Sequence, residues 1–284
     1  ELNSKPQEEG SVGAKIQTMY AMGMDMEKRN ADGAAPVAQQ LEAIKAISNL
    51  DELSSVTAKM HVETSSPFFG FYIGADEKNS TMNLLQMYQG GISMGDRDYY
   101  LLDDENNLKI RNAYKVYIRT LFSLAGYSAE EAASSADAVL GFETEIAEIS
   151  VDRNALRDVH KNYNKMALND FKKKYDFINW DIFFNEVGIR KSTELNAGQI
   201  PFFEGMTKVM KSTDLETLKD YLAFKLLNSA SNYLSEDFVN ANFEFYGKTI
   251  QGREELQPLW KRSLSVVNHS LAEAFGQMYV EKYF

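Results

Sequence analysis

The residues best suited to metal or general-base chemistry are three histidines, His61, His160 and His269. They fall in separate segments, and no pair has the i, i+4 spacing with which an H-E-x-x-H helix presents two imidazoles to one zinc. His269 and Glu273 stand four apart on one face of a predicted helix. That spacing suits a solvent-facing imidazole–carboxylate pair; the rival is a self-sufficient metal site, which would keep its metal through purification. His61-Val62-Glu63 spells the H-x-E of zinc deaminases, but their second motif requires cysteine. The chain has no cysteine, which excludes thiolate metal sites, cysteine nucleophiles and disulfides. No G-x-S-x-G elbow, P-loop or G-x-G-x-x-G occurs. Glu143 and Glu145 cannot face one another on a helix. Asp96-Arg97-Asp98 is denser in charge and follows a glycine turn. Its arginine is able to grip a peptide carboxylate through two parallel hydrogen bonds, or to pair with a neighbouring aspartate and pin the loop. Tyr99-Tyr100 and Phe183-Phe184 read as packing. Motifs alone locate no active site.

The elements that would position these residues are mainly helical. Apolar spacing predicts a first helix over 12–29, with Ile16, Met19, Tyr20, Gly23 and Met26 on one face. A loop over 30–35 follows, and Pro36 suits the first turn of a helix running to about Ser48. Asp51 is the expected cap of another, reaching His61. The stretch 69–73 is aromatic and β-branched, and Asp76-Glu77-Lys78-Asn79 supplies turn chemistry, so one short β-hairpin is expected near residues 69–87. Helices resume over 108–124, stopped by Gly126. Ser128 with Glu131 forms a capping box for a long helix to Ile149. Shorter helices are expected over 167–174 and 180–187, the latter closed by Gly188. Pro201 marks a connection. Thr213 with Glu216 reads as a second capping box for a helix to about Tyr233. A further helix runs from Ser235 to Tyr246-Gly247, and the last begins near Glu254 with Pro258 in its early turns.

Composition bounds the class. At 284 residues, a globular chain buries roughly 75% of the surface its unfolded form exposes. Hydrophobic and charged fractions of 44% and 25% are those of ordinary folded proteins rather than disordered ones. A net charge of −11 argues against nucleic acid, which needs a basic surface to displace counterions. Lys172, Lys173 and Lys174 read as a solvated helix face. No apolar run approaches the ~18 residues of a membrane span. The polar start, without a targeting signal, and the end at Tyr283-Phe284 on a patterned helix read as the edges of a fragment.

Three ordered segments resemble the neprilysin and endothelin-converting enzyme family of zinc endopeptidases, including its bacterial oligopeptidase members. The first is 71–100, FYIGADEKNSTMNLLQMYQGGISMGDRDYY, similar to the family's strand, D-x-K-N-S turn, second strand and loop ending in R-D-Y-Y. The second is FETEIAEI at 142–149, followed by Tyr163-Asn164-Lys165-Met166 at the family's Y-N-K-M. The third runs over 238–284, through Tyr246-Gly247, Trp260-Lys261-Arg262, Ala274-Phe275-Gly276 and Tyr279-Val280. Ser263 stands where animal members carry cysteine, as expected of a bacterial member. Asn112-Ala113-Tyr114 spells the family's substrate-holding motif inside a helical pattern and is not carried over.

The resemblance implies a mainly α fold, a multi-helix lid region spanning 1–284 whose terminal segments pack on a catalytic domain this chain lacks. It implies the non-catalytic N-terminal part of a zinc metalloendopeptidase, walling a chamber for short peptides, with no catalytic or metal-ligating residue here and the zinc in the parent enzyme. The implied partners are the C-terminal catalytic domain and oligopeptide substrates, and the implied location is periplasmic or cell-surface. Asp96, Arg97, Asp98 and Tyr99 are the candidates for substrate or interdomain contact. The alternative is a free-standing helical module that binds peptides or a protein partner; the downstream coding sequence separates the two.

Overall fold

The computed structural model describes residues 5–284. Helices dominate, with one four-stranded sheet. Two units separate: the segment up to Ala34 together with Asn232–Phe284, and the intervening Ala35–Ser231. The first unit opens with α1 (Val12–Met24), capped by the Ser11 hydroxyl on the Ala14 N–H. Asp25 ends α1 and caps α2 (Met26–Asp32), accepting the Lys28 N–H at 3.0 Å. The single helix expected over 12–29 is therefore two, because a carboxylate in cap position starts a new one.

The second unit begins with α3 (Ala38–Lys45) and α4 (Leu50–Glu63). Pro36 sits in the 3₁₀ turn Ala35–Val37 just before α3. The cap of α4 is Asn49, whose side chain accepts from the Glu52 N–H, and the expected cap Asp51 lies in the first turn. The hairpin follows as β1 (Phe69–Asp76) and β2 (Asn79–Gln89), antiparallel, with a register shift at Ala75/Asp76. Then come α5 (Asp98–Leu101), α6 (Glu105–Leu124), α7 (Ala129–Ile149) and α8 (Arg153–Leu156). The capping box that opens α7 is complete: Glu131 N–H donates to the Ser128 hydroxyl, and Ser128 N–H to the Glu131 carboxylate.

Two strands were not expected. Here β3 (Lys165–Ala167) and, after α9 (Leu168–Lys174) and α10 (Trp180–Glu186), β4 (Glu194–Ala197) extend the hairpin into a sheet of order β1-β2-β4-β3. The β2–β4 pairing is parallel over Leu85↔Leu195 to Met87↔Ala197. Strands of three and four residues are too short for period-2 alternation to register in sequence. The unit closes with α11 (Ile200–Ser212) and α12 (Leu215–Ala230). Pro201 lies in the first turn of α11, where its missing N–H costs nothing, so the expected connection is a helix. Asp214, not Thr213, caps α12, accepting the Thr217 N–H at 2.9 Å.

The core of this unit is aromatic. Phe69 is fully buried and packs against His61, Phe177, Trp180 and Phe183. Phe142 on α7 meets Phe68 and Tyr221.

The first unit resumes with α13 (Glu236–Asn242), a π-helix (Phe243–Ile250), α14 (Leu259–Ser270) and α15 (Ala272–Tyr283). Gly252, at φ +66°, ends the π-helix beyond the Gly247 stop read from sequence. Pro258 is the cap of α14 rather than an early-turn residue. Helix α1 packs along α14, closest at Gly23, where a Cβ would lie 2.8 Å from the Ser263 hydroxyl. Arg29 of α2 donates to the main-chain oxygens of Asn232 and Leu234 at 2.9 and 2.8 Å, tying α2 to the start of the returning segment.

Candidate functional site

The loop from Gly90 to Asp98 joins the sheet to α5 and carries the charge-dense triplet. Its geometry is set by a buried polar cluster on α7. Glu143 is fully buried and accepts hydrogen bonds from Ser93 Oγ, Tyr100 Oη and Tyr114 Oη, each at 2.6 Å. Tyr100 Oη accepts in turn from the Ser93 and Met94 N–H groups at 3.0 Å. Lys225 of α12 donates to Ser93 Oγ at 3.0 Å and to the Gly91 carbonyl at 3.3 Å. Tyr221 Oη donates to the same carbonyl at 2.7 Å. One carboxylate, one ammonium and three phenols thereby hold one loop.

The electrostatics follow from burial. Loss of water pushes the Tyr100 phenol well above its ordinary range, and the Glu143 charge adds to this. Tyr221 is raised for the same two reasons. Burial lowers Lys225, with Glu143 opposing. The cluster exposes no reacting group, so its chemistry is to fix a loop. In sequence Glu143 reads only as a carboxylate that cannot face Glu145, although it sits among Val139, Phe142 and Ile146 on the apolar stripe of α7. A charge on a core stripe was the available signal.

Gly91 completes the anchor. At φ +95° it is left-handed, and a Cβ there would lie 3.1 Å from Ile146 Cδ1 and 3.2 Å from the Phe68 carbonyl. Gly91→Ala is expected to lower stability by about 1–3 kcal/mol, read from the midpoint of urea unfolding. An unchanged midpoint contradicts this account of the loop.

The triplet is held differently from the expected aspartate pairing. Arg97 donates to the Ser150 carbonyl at the end of α7. Asp96 pairs with Arg153 of α8 and accepts the Asp98 N–H at 3.0 Å. Tyr99 is half-buried, and its carbonyl accepts from Arg111 at 3.1 Å. The structure thus gathers Asp96 and Arg97 around the junction of α7 and α8, with Asp98 exposed at the start of α5.

A shallow cavity of about 280 Å³ lies on the sheet face, lined by Tyr72, Gln86, Tyr88, Asn162, Asn196 and Gln199 among others. Its amides are bonded to one another: Asn196 donates to Gln86 Oε1 at 2.9 Å and Gln199 to Asn162 Oδ1 at 3.1 Å. Nearby, Tyr163 donates to Asp76 at 2.8 Å and Lys165 reaches the same carboxylate at 3.3 Å. The Lys78 N–H, then the Tyr163 hydroxyl, hold the Asp76 carboxyl below its ordinary range. Two sequence segments that resembled one family, the D-x-K-N-S turn and Y-N-K-M, are therefore bonded to each other.

His61 is enclosed by Phe69, Phe71 and Phe183, and its Nε2 is buried without a partner. Burial lowers it to about 3. His269 closes α14 while Glu273 lies in α15, across a break at Leu271. The shared helix face expected for that pair does not form. Among the described residues, no group of three or more His, Cys, Asp or Glu is gathered to hold a metal ion. The described residues offer no donor set that fits zinc.

Comparison with known proteins identifies the family of the chain. Residues 1–284 match the N-terminal part of Peptidase family M13. Human endothelin-converting enzyme 1 is 32% identical over 239 residues, covering 82% of this chain and 30% of the enzyme. Neprilysin-1 of Caenorhabditis elegans is 28% identical over 299 residues, 95% of this chain and 39% of that protein. The crystal structure of zinc metalloprotease ZMP1 of Mycobacterium tuberculosis with an inhibitor superposes with a TM-score of 0.93 at 26% identity, covering 100% of this chain and 43% of that one.

The fold and the matched sequence define the N-terminal region of a zinc metallopeptidase. The chain belongs to peptidase family M13. It spans between 30% and 43% of the length of these relatives.

Proposed function

We propose that this chain is the non-catalytic N-terminal part of a zinc metalloendopeptidase, forming the wall of a chamber that admits short peptides and rejects folded proteins. The observation that carries this reading is the match to the family over the whole chain, although the chain spans only 43% of the ZMP1 protease. In this reading the zinc, and the glutamate that activates its water, sit on a C-terminal catalytic domain. This chain contributes shape and exclusion.

Residues 1–284 act as one lid region whose terminal segments pack on that domain. Supporting this, α15 buries no residue and leaves Tyr279, Val280 and Tyr283 more than half exposed, as does a surface that awaits a partner. The loop carrying Asp96, Arg97, Asp98 and Tyr99 is assigned to substrate or interdomain contact, since the Glu143 cluster makes it rigid enough to present. The protein works outside the cytoplasm, in the periplasm or at the cell surface, where peptide substrates reach it. The coding sequence tests the reading: it is expected to continue past Phe284 into an H-E-x-x-H helix, and a stop codon near Phe284 would refute it.

A further inference from the structure

The first unit contains a cavity of about 370 Å³ whose wall includes Asn242, Tyr246, Gln251, Arg253, Gln257 and Arg262. The π-helix Phe243–Ile250 forms one side, and such insertions in helices recur at functional sites. The site is closely built. The Phe243 ring lies over Gly247, where a Cβ would meet it at 2.2 Å. The Arg253 N–H donates to the Gly247 carbonyl at 2.9 Å just after the left-handed Gly252, which fixes where Arg253 leaves the chain.

Its charge runs against the rest of the molecule. In a chain of net charge −11, two guanidinium groups share this wall. Arg262 donates Nε to the Gln257 carbonyl at 3.0 Å, and among the described residues no carboxylate forms a salt bridge with Arg262 or Arg253. Arg29 stands near enough for its charge and that of Arg262 to repel, while Glu236 attracts Arg262 without pairing. Glu254 and Glu255 follow Arg253 in the chain, yet neither lines the cavity. Arg262 is partly buried and Arg253 exposed at the cavity wall; two guanidiniums free of a carboxylate partner beside side-chain amides form a planar donor set that matches a carboxylate.

We propose that this cavity is a binding subsite for the carboxylate of a peptide, held by Arg253 and Arg262. The carboxylate follows from the cavity itself; that a peptide bears it rests on the proposed function. Its source is either the peptide's free C-terminus or an acidic side chain.

Titration of the 284-residue chain with three acetylated tripeptides, followed by arginine Nε–H NMR and calorimetry, distinguishes these sources. The probes are a free acid, the same peptide as C-terminal amide, and that amide with an internal glutamate. Binding by the free acid alone assigns the C-terminus, and binding by the glutamate peptide as well assigns any carboxylate. In both cases the plain amide is expected to bind about tenfold more weakly or worse, and the free acid to lose as much on Arg262→Gln or Arg253→Gln. Equal binding of all three, or none by any, overturns the proposal. The amide comparison needs no variant, so misfolding of a mutant does not rescue the idea. Binding is measured without cleavage, so the peptidase reading stands or falls separately.

Discussion

Glu143→Ala is expected to destabilise the protein by about 3–5 kcal/mol, the range for breaking a buried ionic cluster from one side. The change leaves Lys225 buried without its opposing charge and strips the acceptor from the hydroxyls of Ser93, Tyr100 and Tyr114. Each orphaned donor costs about 1–3 kcal/mol if it stays buried, so relaxation of the loop sets where in the range the value falls. Urea unfolding reads the total. Hydrogen exchange reads the place: the Ser93 and Met94 N–H groups, held by Tyr100, are expected to lose protection before the aromatic core does. The double variant Glu143→Leu, Lys225→Met is expected to recover much of the loss, because it removes both charges together. A loss under about 1 kcal/mol for Glu143→Ala would show that the cluster does not hold the loop.

The second large effect is in pH. His61 is lowered to about 3 by burial among phenylalanines, whereas an unfolded histidine titrates near 6.5. Between these values the unfolded chain binds a proton at this site and the folded chain does not. Stability is therefore complete above about pH 6.5 and falls as pH drops toward 3, by about 1.4 kcal/mol per unit. The carboxylates lowered by hydrogen bonding, such as Asp104, Asp152 and Asp214, act in the same direction. Their loss begins near the ordinary carboxylate range of about 4, and Asp220, raised by burial, acts in the opposite direction, so the fall in stability from about pH 6.5 toward about 4.5 is assigned to His61. His61→Leu is expected to flatten that limb in urea unfolding. A variant with the parent's slope would contradict the assignment.

How much of this was legible in sequence depends on where the determining contact lies. The α7 capping box was legible because Ser128 and Glu131 bond within one turn. The hairpin was legible because β-branched and aromatic residues flank a turn sequence. Errors of one or two residues arose where two local caps competed: Thr213 and Asp214 both suit the start of α12, but Thr213 closes α11 with its N–H and hydroxyl both on the Val209 carbonyl, which leaves the cap to Asp214. The short strands β3 and β4 depend on partners more than a hundred residues away in the case of Leu85 and Leu195, a contact no local pattern announces. The π-helix was read as an ordinary helix end at Tyr246-Gly247, since its wider turn is set by packing and by Gly252 further on. The Glu143 cluster unites residues from α5, α6, α7 and α12. Its one local mark is a carboxylate on an apolar stripe, which by itself names no partner. Arg253 and Arg262 likewise become a feature only once the π-helix and the turn after it fold the stretch 232–262 around one cavity.

The central claim is that this chain shapes a peptide chamber while the bond-breaking metal lies elsewhere in a longer protein. Incubating the purified chain with zinc and an internally quenched oligopeptide, with and without a chelator, tests it most directly. The prediction is no cleavage above the zinc-only control in either condition. Cleavage that the chain alone supports and the chelator abolishes would contradict it.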